Sequence, residues 1–216
     1  MQSAESCPLC FFSDNTFFHR DKHRSYYQCV QCALVFVPAH YHLSLDDEKR
    51  NYDLHQNNPN DVAYRKFLDR LFKPLNKALK PNSKGLDFGC GPGPTLALML
   101  EEEGHSVALY DAFFAQNSAV FTCSYDFISA TEVVEHLVAP GFELKRLWAL
   151  LKPGGVLSIM TKRVLSQSAF TQWHYKNDPT HIVFFSEKTL NYLGGLWGVK
   201  PVFHSADVVF FIKPNT

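Results

Sequence analysis

The chain has 216 residues, with 21 basic side chains against 21 acidic ones and a formal net charge of zero. Apolar residues at 46%, among them 19 phenylalanines, exclude a disordered chain, because that much greasy surface must be hidden in a core. Zero charge gives no general pull toward nucleic acid or anionic membrane, and apolar runs of about seven residues fall far short of the ~20 that span a bilayer.

The first six residues, Met1 to Ser6, open no apolar leader, so the chain reads as cytoplasmic. Cys7-Pro8-Leu9-Cys10 and Cys29-Val30-Gln31-Cys32 then form two CxxC pairs separated by residues 11–28. That spacing is typical of zinc sites. Each short turn aims two thiolates at one point, and four thiolates close a tetrahedral shell around a structural ion. A segment as short as 1–40 cannot bury enough core to fold alone, which is the reason for a metal staple. Paired disulfides or redox motifs are disfavoured in a reducing cytosol. Between the pairs, Thr16–His19 and Tyr26–Gln28 read as strands around the polar turn Asp21-Lys22-His23-Arg24. That turn is either a nucleic-acid contact or a solvated hairpin tip, and the solvated tip is the preferred reading. Residues 41–60, rich in His, Asp and Asn, read as a linker, and residues 61–216 as the main domain.

From Asp61, a plausible N-cap, apolar residues recur at helical spacing to Leu79, with Pro74 as a kink or break. Leu86–Phe88 reads as a strand, followed by Gly89-Cys90-Gly91-Pro92-Gly93 and a helix over Pro94–Glu103. Further strands are expected at Val107–Tyr110, Phe127–Ala130 and Gly155–Met160, with a helix at Phe142–Leu151. Ser186 caps another helix to Leu193, and Val199–Phe203 with Val208–Ile212 form a closing hairpin. This alternation predicts a parallel α/β sheet flanked by helices.

A glycine turn between strand and helix is where such sheets bind ligands. Position 94 is proline, against the dinucleotide fingerprint, and no Gly-Lys-Ser/Thr follows for a phosphate cradle. Asp87 would repel pyrophosphate but welcome an ammonium group, while the helix amides beyond Gly93 can take a carboxylate. Asp111, about 20 residues on at the end of the next strand, is placed to grip ribose hydroxyls. A nucleoside with both an ammonium and a carboxylate fits these groups, and S-adenosylmethionine is such a molecule.

Leu86-Asp87-Phe88-Gly89-Cys90-Gly91-Pro92-Gly93 resembles the first motif of class I S-adenosylmethionine-dependent methyltransferases. Tyr125–Ile128 followed by Thr131-Glu132-Val133-Val134-Glu135-His136-Leu137 is similar to the fourth-strand motif, and Leu150–Gly155 to the turn before the fifth strand. With the N-terminal cysteine pairs and Asp178–Ser186, the chain further resembles a bacterial subgroup of these enzymes. The resemblance implies a Rossmann-like class I methyltransferase fold with a small N-terminal zinc ribbon. It also implies a cofactor site at Asp87, Gly89, Cys90, Gly91, Gly93, Tyr110, Asp111, Ala112, Thr131 and Glu132. Residues 112–125 are too few for the usual helix and third strand, so the sheet edge should be trimmed, with that strand short or absent. The implied activity is methyl transfer, with neutral charge favouring a small-molecule acceptor over RNA docked on the ribbon. A non-catalytic, cofactor-binding adaptor is the third reading. His181 and His136 are the candidate bases, and Glu132, Glu135 and His136 a candidate divalent-metal set, as some relatives imply. Trp173, Tyr175, Phe184 and Phe185 either wall an acceptor pocket or belong to the core.

Overall fold

The computed structural model describes residues 5–54 and 58–215. Residues 1–4, on which the reading of no leader turns, and 55–57 of the expected linker lie outside them. The chain begins with a hairpin of β1 (Asn15–Arg20) and β2 (Ser25–Cys29), then β3 (Val35–Phe36). The stretch expected as a linker contains α1 (Leu45–Tyr52). Its polar sequence hides the helix from any apolar pattern, but the ends are well made. Ser44 accepts from the Asp47 amide, Asp46, Asp47 and Glu48 fill the first turn, and Lys49 and Arg50 the last, all favourable to the helix dipole.

Helix α2 (Val62–Ala78) follows, with Asp61 accepting from the Ala63 and Tyr64 amides as an N-cap; Pro74 lies inside one continuous helix. Then come β4 (Lys84–Phe88), α3 (Thr95–Glu102), β5 (Ser106–Tyr110), β6 (Tyr125–Thr131), α4 (Pro140–Leu150) and β7 (Leu151–Met160). Short helix α5 (Gln167–Thr171), β8 (Val183–Phe184), α6 (Glu187–Leu196), β9 (Val202–Phe203) and β10 (Val208–Ile212) complete the chain.

The main sheet has the order β5-β4-β6-β7-β10-β9, the first four strands parallel and β10 antiparallel to both neighbours. Among the described residues no strand pairs outside β5. The connection after it holds only an Asp111–Ala115 bridge and a 3-10 turn at Ser118–Thr122, so the edge is trimmed as expected. Alternate strand residues enter opposite cores: Phe127, Val156 and Phe210 pack with α2 and α3, and Ile128, Leu157 and Phe211 with α4 and α6. No helix among the described residues is long and apolar enough to cross a membrane.

The second core also contains Cys7, Leu9, Cys29, Cys32, Leu34 and Phe36. The N-terminal module therefore shares its interior with the main sheet. Its own sheet, β1-β2-β3-β8, takes its last strand from the far end of the sequence, with Val35 beside Phe184 and Phe36 beside Val183. Gly141 meets Leu9 so closely that a Cβ would lie 2.2 Å from the Leu9 carbonyl oxygen.

The polar hairpin turn is a solvated tip only in part: Lys22 and His23 are exposed, but Arg24 is not. Arg24 is only 7% exposed. Its guanidinium donates to the carbonyls of Pro179 (3.1 Å), Lys176 (2.7 Å) and Asp178 (2.8 Å), and its Nε to the Tyr26 hydroxyl (2.9 Å). Asp21 folds back onto the His23 and Arg24 amides and accepts from Tyr26. Removing the guanidinium takes the donor from three carbonyls at once. Arg24→Ala should lower unfolding free energy by roughly 2–4 kcal/mol in chemical denaturation. A loss under about 1 kcal/mol, the range of a surface side chain, would contradict this clamp.

Candidate functional site

The turn from β4 into α3 is shaped by two glycines in left-handed conformation, Gly89 at φ 76° and Gly91 at φ 63°. The Gly89 and Cys90 amides donate to the Tyr110 carbonyl (2.7 and 3.2 Å), fastening the turn to the end of β5. A Cβ on Gly89 would sit 2.3 Å from Val133, so glycine also permits the close approach of the loop after β6. Asp111 is held by three amides, Gly91 on one oxygen (3.0 Å), Phe113 (2.8 Å) and Phe114 (3.0 Å) on the other. No side chain caps α3, which leaves its first turn available to an anion.

These elements line a cavity of about 570 Å³, a normal size for a small-ligand site. Of the residues expected to hold a cofactor, Gly89, Cys90, Gly91, Tyr110, Asp111, Ala112, Thr131 and Glu132 are on its wall. Asp87 and Gly93 are not. Asp87 is 4% exposed and accepts from the Ser129 hydroxyl at 2.7 Å; burial, opposed by that bond and assisted by Asp111, pushes its carboxyl up to about 6. It stands behind the turn.

The other end of the cavity brings together His136, Asp178 and His181. The His181 Nδ1 lies 2.7 Å from the Tyr175 carbonyl and the His136 Nδ1 3.1 Å from that of Thr180. A carbonyl can only accept, so each Nδ1 carries the proton, and in a neutral His181 the lone pair falls on Nε2. Burial, and then His136, pull the His181 pKa down to about 4, against the pull of Asp178. The Asp178 carboxylate is 3.8 Å from Nε2. His181 is therefore a neutral imidazole at physiological pH.

Beside it lies a strained, charge-poor pair. Glu132 has φ 52°, a conformation costing roughly 1–3 kcal/mol outside glycine. The Tyr175 hydroxyl donates to Glu135 and lies 3.2 Å from Glu132. Burial pushes Glu132 up to about 8, helped by Glu135, and burial likewise pushes Glu135 up to about 7. The Thr131 hydroxyl and one oxygen each of Glu132 and Glu135 are buried without a hydrogen-bond partner. Thr131 and Glu132 face the cavity, so polar ligand groups there would relieve an existing cost. Glu135 and His136 gather with His181, ligand atoms within 4.8 Å of one another; Glu132, expected in that set, is not in it.

The cysteines form a second centre. Phe11 donates to the Cys7 carbonyl and Ala33 to that of Cys29, both at 2.9 Å. Phe11 (φ 63°) and Ala33 (φ 59°) are both left-handed. Two like turns thus aim at one point. Cys7 and Cys32 sulfurs are 3.5 Å apart, Cys10 and Cys29 3.4 Å, and all four lie within 4.8 Å. The edge of a Zn–S4 tetrahedron is about 3.8 Å, so the set fits zinc. The hydrogen bond from Cys32 holds the Cys7 thiol down at about 5, whereas burial pushes Cys10 up to about 11. Four thiolates together need a bound dication.

Several wall residues carry no motif. Leu45, Glu48 and Tyr52 come from α1, and Tyr64 and Phe67 from α2. The cap at Ser44 with acids behind it signals α1 in sequence, but nothing local places it over the cavity. Conversely, Phe184 and Phe185 are fully buried, and Tyr175 and Trp173 pack with Phe184. The aromatic segment is core, not cavity wall.

A family model described as a methyltransferase domain matches residues 55–195. No curated protein matches. Among solved structures, the chain is similar to a Burkholderia thailandensis O-methyltransferase family protein, at 11% identity over 78% of this chain and 63% of that one, with a TM-score of 0.50. Another from that organism is 1,6-didemethyltoxoflavin-N1-methyltransferase with its substrate and S-adenosylhomocysteine bound (18% identity, 93% and 99% covered, TM-score 0.49). A third is a SAM-dependent methyltransferase from Thermotoga maritima (16%, 73% and 97%, 0.43). At 11% identity the first of these likenesses shows a shared fold alone.

The close approach at Gly89 yields its own test. Gly89→Ala adds a methyl that must displace Val133 and holds alanine at positive φ, so stability should fall by roughly 1–3 kcal/mol. An unchanged denaturation midpoint would contradict the geometry of the turn.

Proposed function

The chain belongs to the methyltransferase-domain family, S-adenosylmethionine-dependent enzymes of the class I fold, and from that membership we propose that its acceptor is a small molecule. The observation that carries this reading is one cavity that joins the glycine turn and Asp111 to His181 and Asp178. When bound, S-adenosylmethionine supplies a methyl group on a sulfonium that an acceptor lone pair can take. Asp111 would hold the ribose hydroxyls, the turn at Gly89 to Gly91 would pass beneath the nucleoside, and the first turn of α3 would meet the carboxylate. Tyr110 and Ala112 would flank the adenine, with Thr131 and Glu132 toward the reacting end. Asp87 would act from behind, through its charge. His181, fixed by the Tyr175 carbonyl, would accept the acceptor's proton on Nε2, with His136 as the second candidate.

RNA is the weaker reading. The Arg24 of the hairpin turn is consumed by backbone carbonyls, and among the described residues the cavity wall has no Lys or Arg to meet phosphates. In this account residues 1–40 are a zinc ribbon that braces the 61–216 domain rather than a docking module.

Two measurements follow. Asp111→Ala should weaken S-adenosylhomocysteine binding by one to two decades in calorimetry, about 1.5–3 kcal/mol for a charge-assisted bond. His181→Ala should leave that affinity within about threefold while lowering methyl transfer by about 10² or more. Unchanged binding in the first variant would refute the ribose assignment. If His136→Ala proves severe and His181→Ala mild, the base is His136. Activity lost to a chelator and restored by a divalent ion would replace the base reading with a metal.

For the cysteines, metal analysis should give one zinc per chain, falling to near zero in a Cys7→Ser, Cys29→Ser double variant. Unaltered metal content in that variant would remove the assignment.

A further inference from the structure

The wall of the cavity is lopsided in charge. Four carboxyl groups reach it, Glu48, Asp111, Asp178 and Glu132, the last held toward its neutral form by burial, and no lysine or arginine among the described residues does. Two ammonium groups lie nearby, and the charge of Lys162 reaches Glu132. Lys49 is paired with Asp53 at 2.8 Å, and the Lys162 ammonium lies 3.0 Å from His174. Asp111 belongs to the donor end and S-adenosylmethionine itself carries one net positive charge, so an excess of negative groups still faces the acceptor.

We infer that the acceptor is a nitrogen-bearing aromatic molecule, neutral or cationic, whose N–H groups are taken by Glu132, Asp178 and Glu48. This rests on the methyltransferase reading and names the substrate class of that site. Each carboxylate is oriented from one side by a neighbour. The Tyr52 hydroxyl donates to Glu48 (2.9 Å), Thr180 donates twice to Asp178 (2.9 and 2.6 Å), and Tyr175 lies against Glu132 (3.2 Å). The remaining Glu132 oxygen is buried and unpartnered. An N–H donor restores the hydrogen bond it lacks, whereas an anionic group would meet like charge at Asp178 and Glu48. The ring faces come from Tyr52 and Phe113, whose centroids are 5.6 Å apart, with Tyr64 and Phe67 stacked at 12° on α2. Aromatic faces add attraction for a cation and for a flat ring, and none for a carboxylate.

The test uses probes matched in frame and opposite in charge. Purified protein is first titrated with S-adenosylhomocysteine, then, loaded with it, with tryptamine against indole-3-acetate and phenethylamine against phenylacetate. Each amine should bind at least tenfold more tightly than its carboxylate partner, and the preference should shrink to under threefold in a Glu132→Gln, Asp178→Asn double variant. Equal or tighter binding of the carboxylates, no amine binding at millimolar concentration, or a preference unmoved in a folded double variant overturns the inference. Failure of the first titration overturns the methyltransferase reading itself, and is thereby told apart from a failure of the charge preference alone.

Discussion

Val35 and Phe36 of β3 run beside Phe184 and Val183 of β8, and the far wall of the cavity depends on that pairing. The Val37 amide continues it by donating to the Ile182 carbonyl at 2.8 Å, and the Ile182 amide in turn donates to the Glu135 carbonyl at 2.9 Å. One hydrogen-bonded path therefore runs from the cysteine turns to the loop after β6. Arg24 adds a second tie, to the carbonyls of residues 176, 178 and 179, just before His181. A loop of this kind, outside the main sheet, would ordinarily move on its own. Here the N-terminal module makes it part of a sheet.

The two ends of the cavity work by different physics. At the glycine turn, backbone does the shaping: positive φ, amides on the Tyr110 carbonyl, and a carboxylate held by three amides. At the other end, side chains are buried before any ligand is present. Glu132 is strained and raised toward neutrality, Glu135 has no solvent exposure, and His181 is kept uncharged. Such groups are costly in an empty fold and regain hydrogen bonds and charge partners when occupied. That asymmetry is what a site reads when it must hold a standard donor firmly and discriminate among acceptors.

Much of this was legible from the sequence, because the relevant signals are local. The Gly89–Gly93 turn needs glycine for its φ angles, Asp61 and Ser186 cap helices by their own carboxylate or hydroxyl, and the short interval from Asp111 to Asp126 leaves too little length for both a helix and another strand. The CxxC spacing foretold two turns converging on one point. Long-range facts were hidden. Helix α1 has no apolar stripe, so its place over the cavity follows from three-dimensional packing alone. Arg24 sat in what composition describes as a polar turn, although its partners lie some 150 residues away in sequence. Trp173, Tyr175, Phe184 and Phe185 have the bulk to line a pocket or fill a core, and only tertiary contacts decide between them.

The account stands or falls on where the donor sits relative to these two ends, and a crystal structure of the complex with S-adenosylhomocysteine measures that directly. It should find the ribose hydroxyls on Asp111, the nucleoside over the Gly89 to Gly91 turn, and the sulfur facing the space between Glu132 and His181. Density for the ligand elsewhere, or a sulfur turned away from His181 with protein closing the gap, would contradict it.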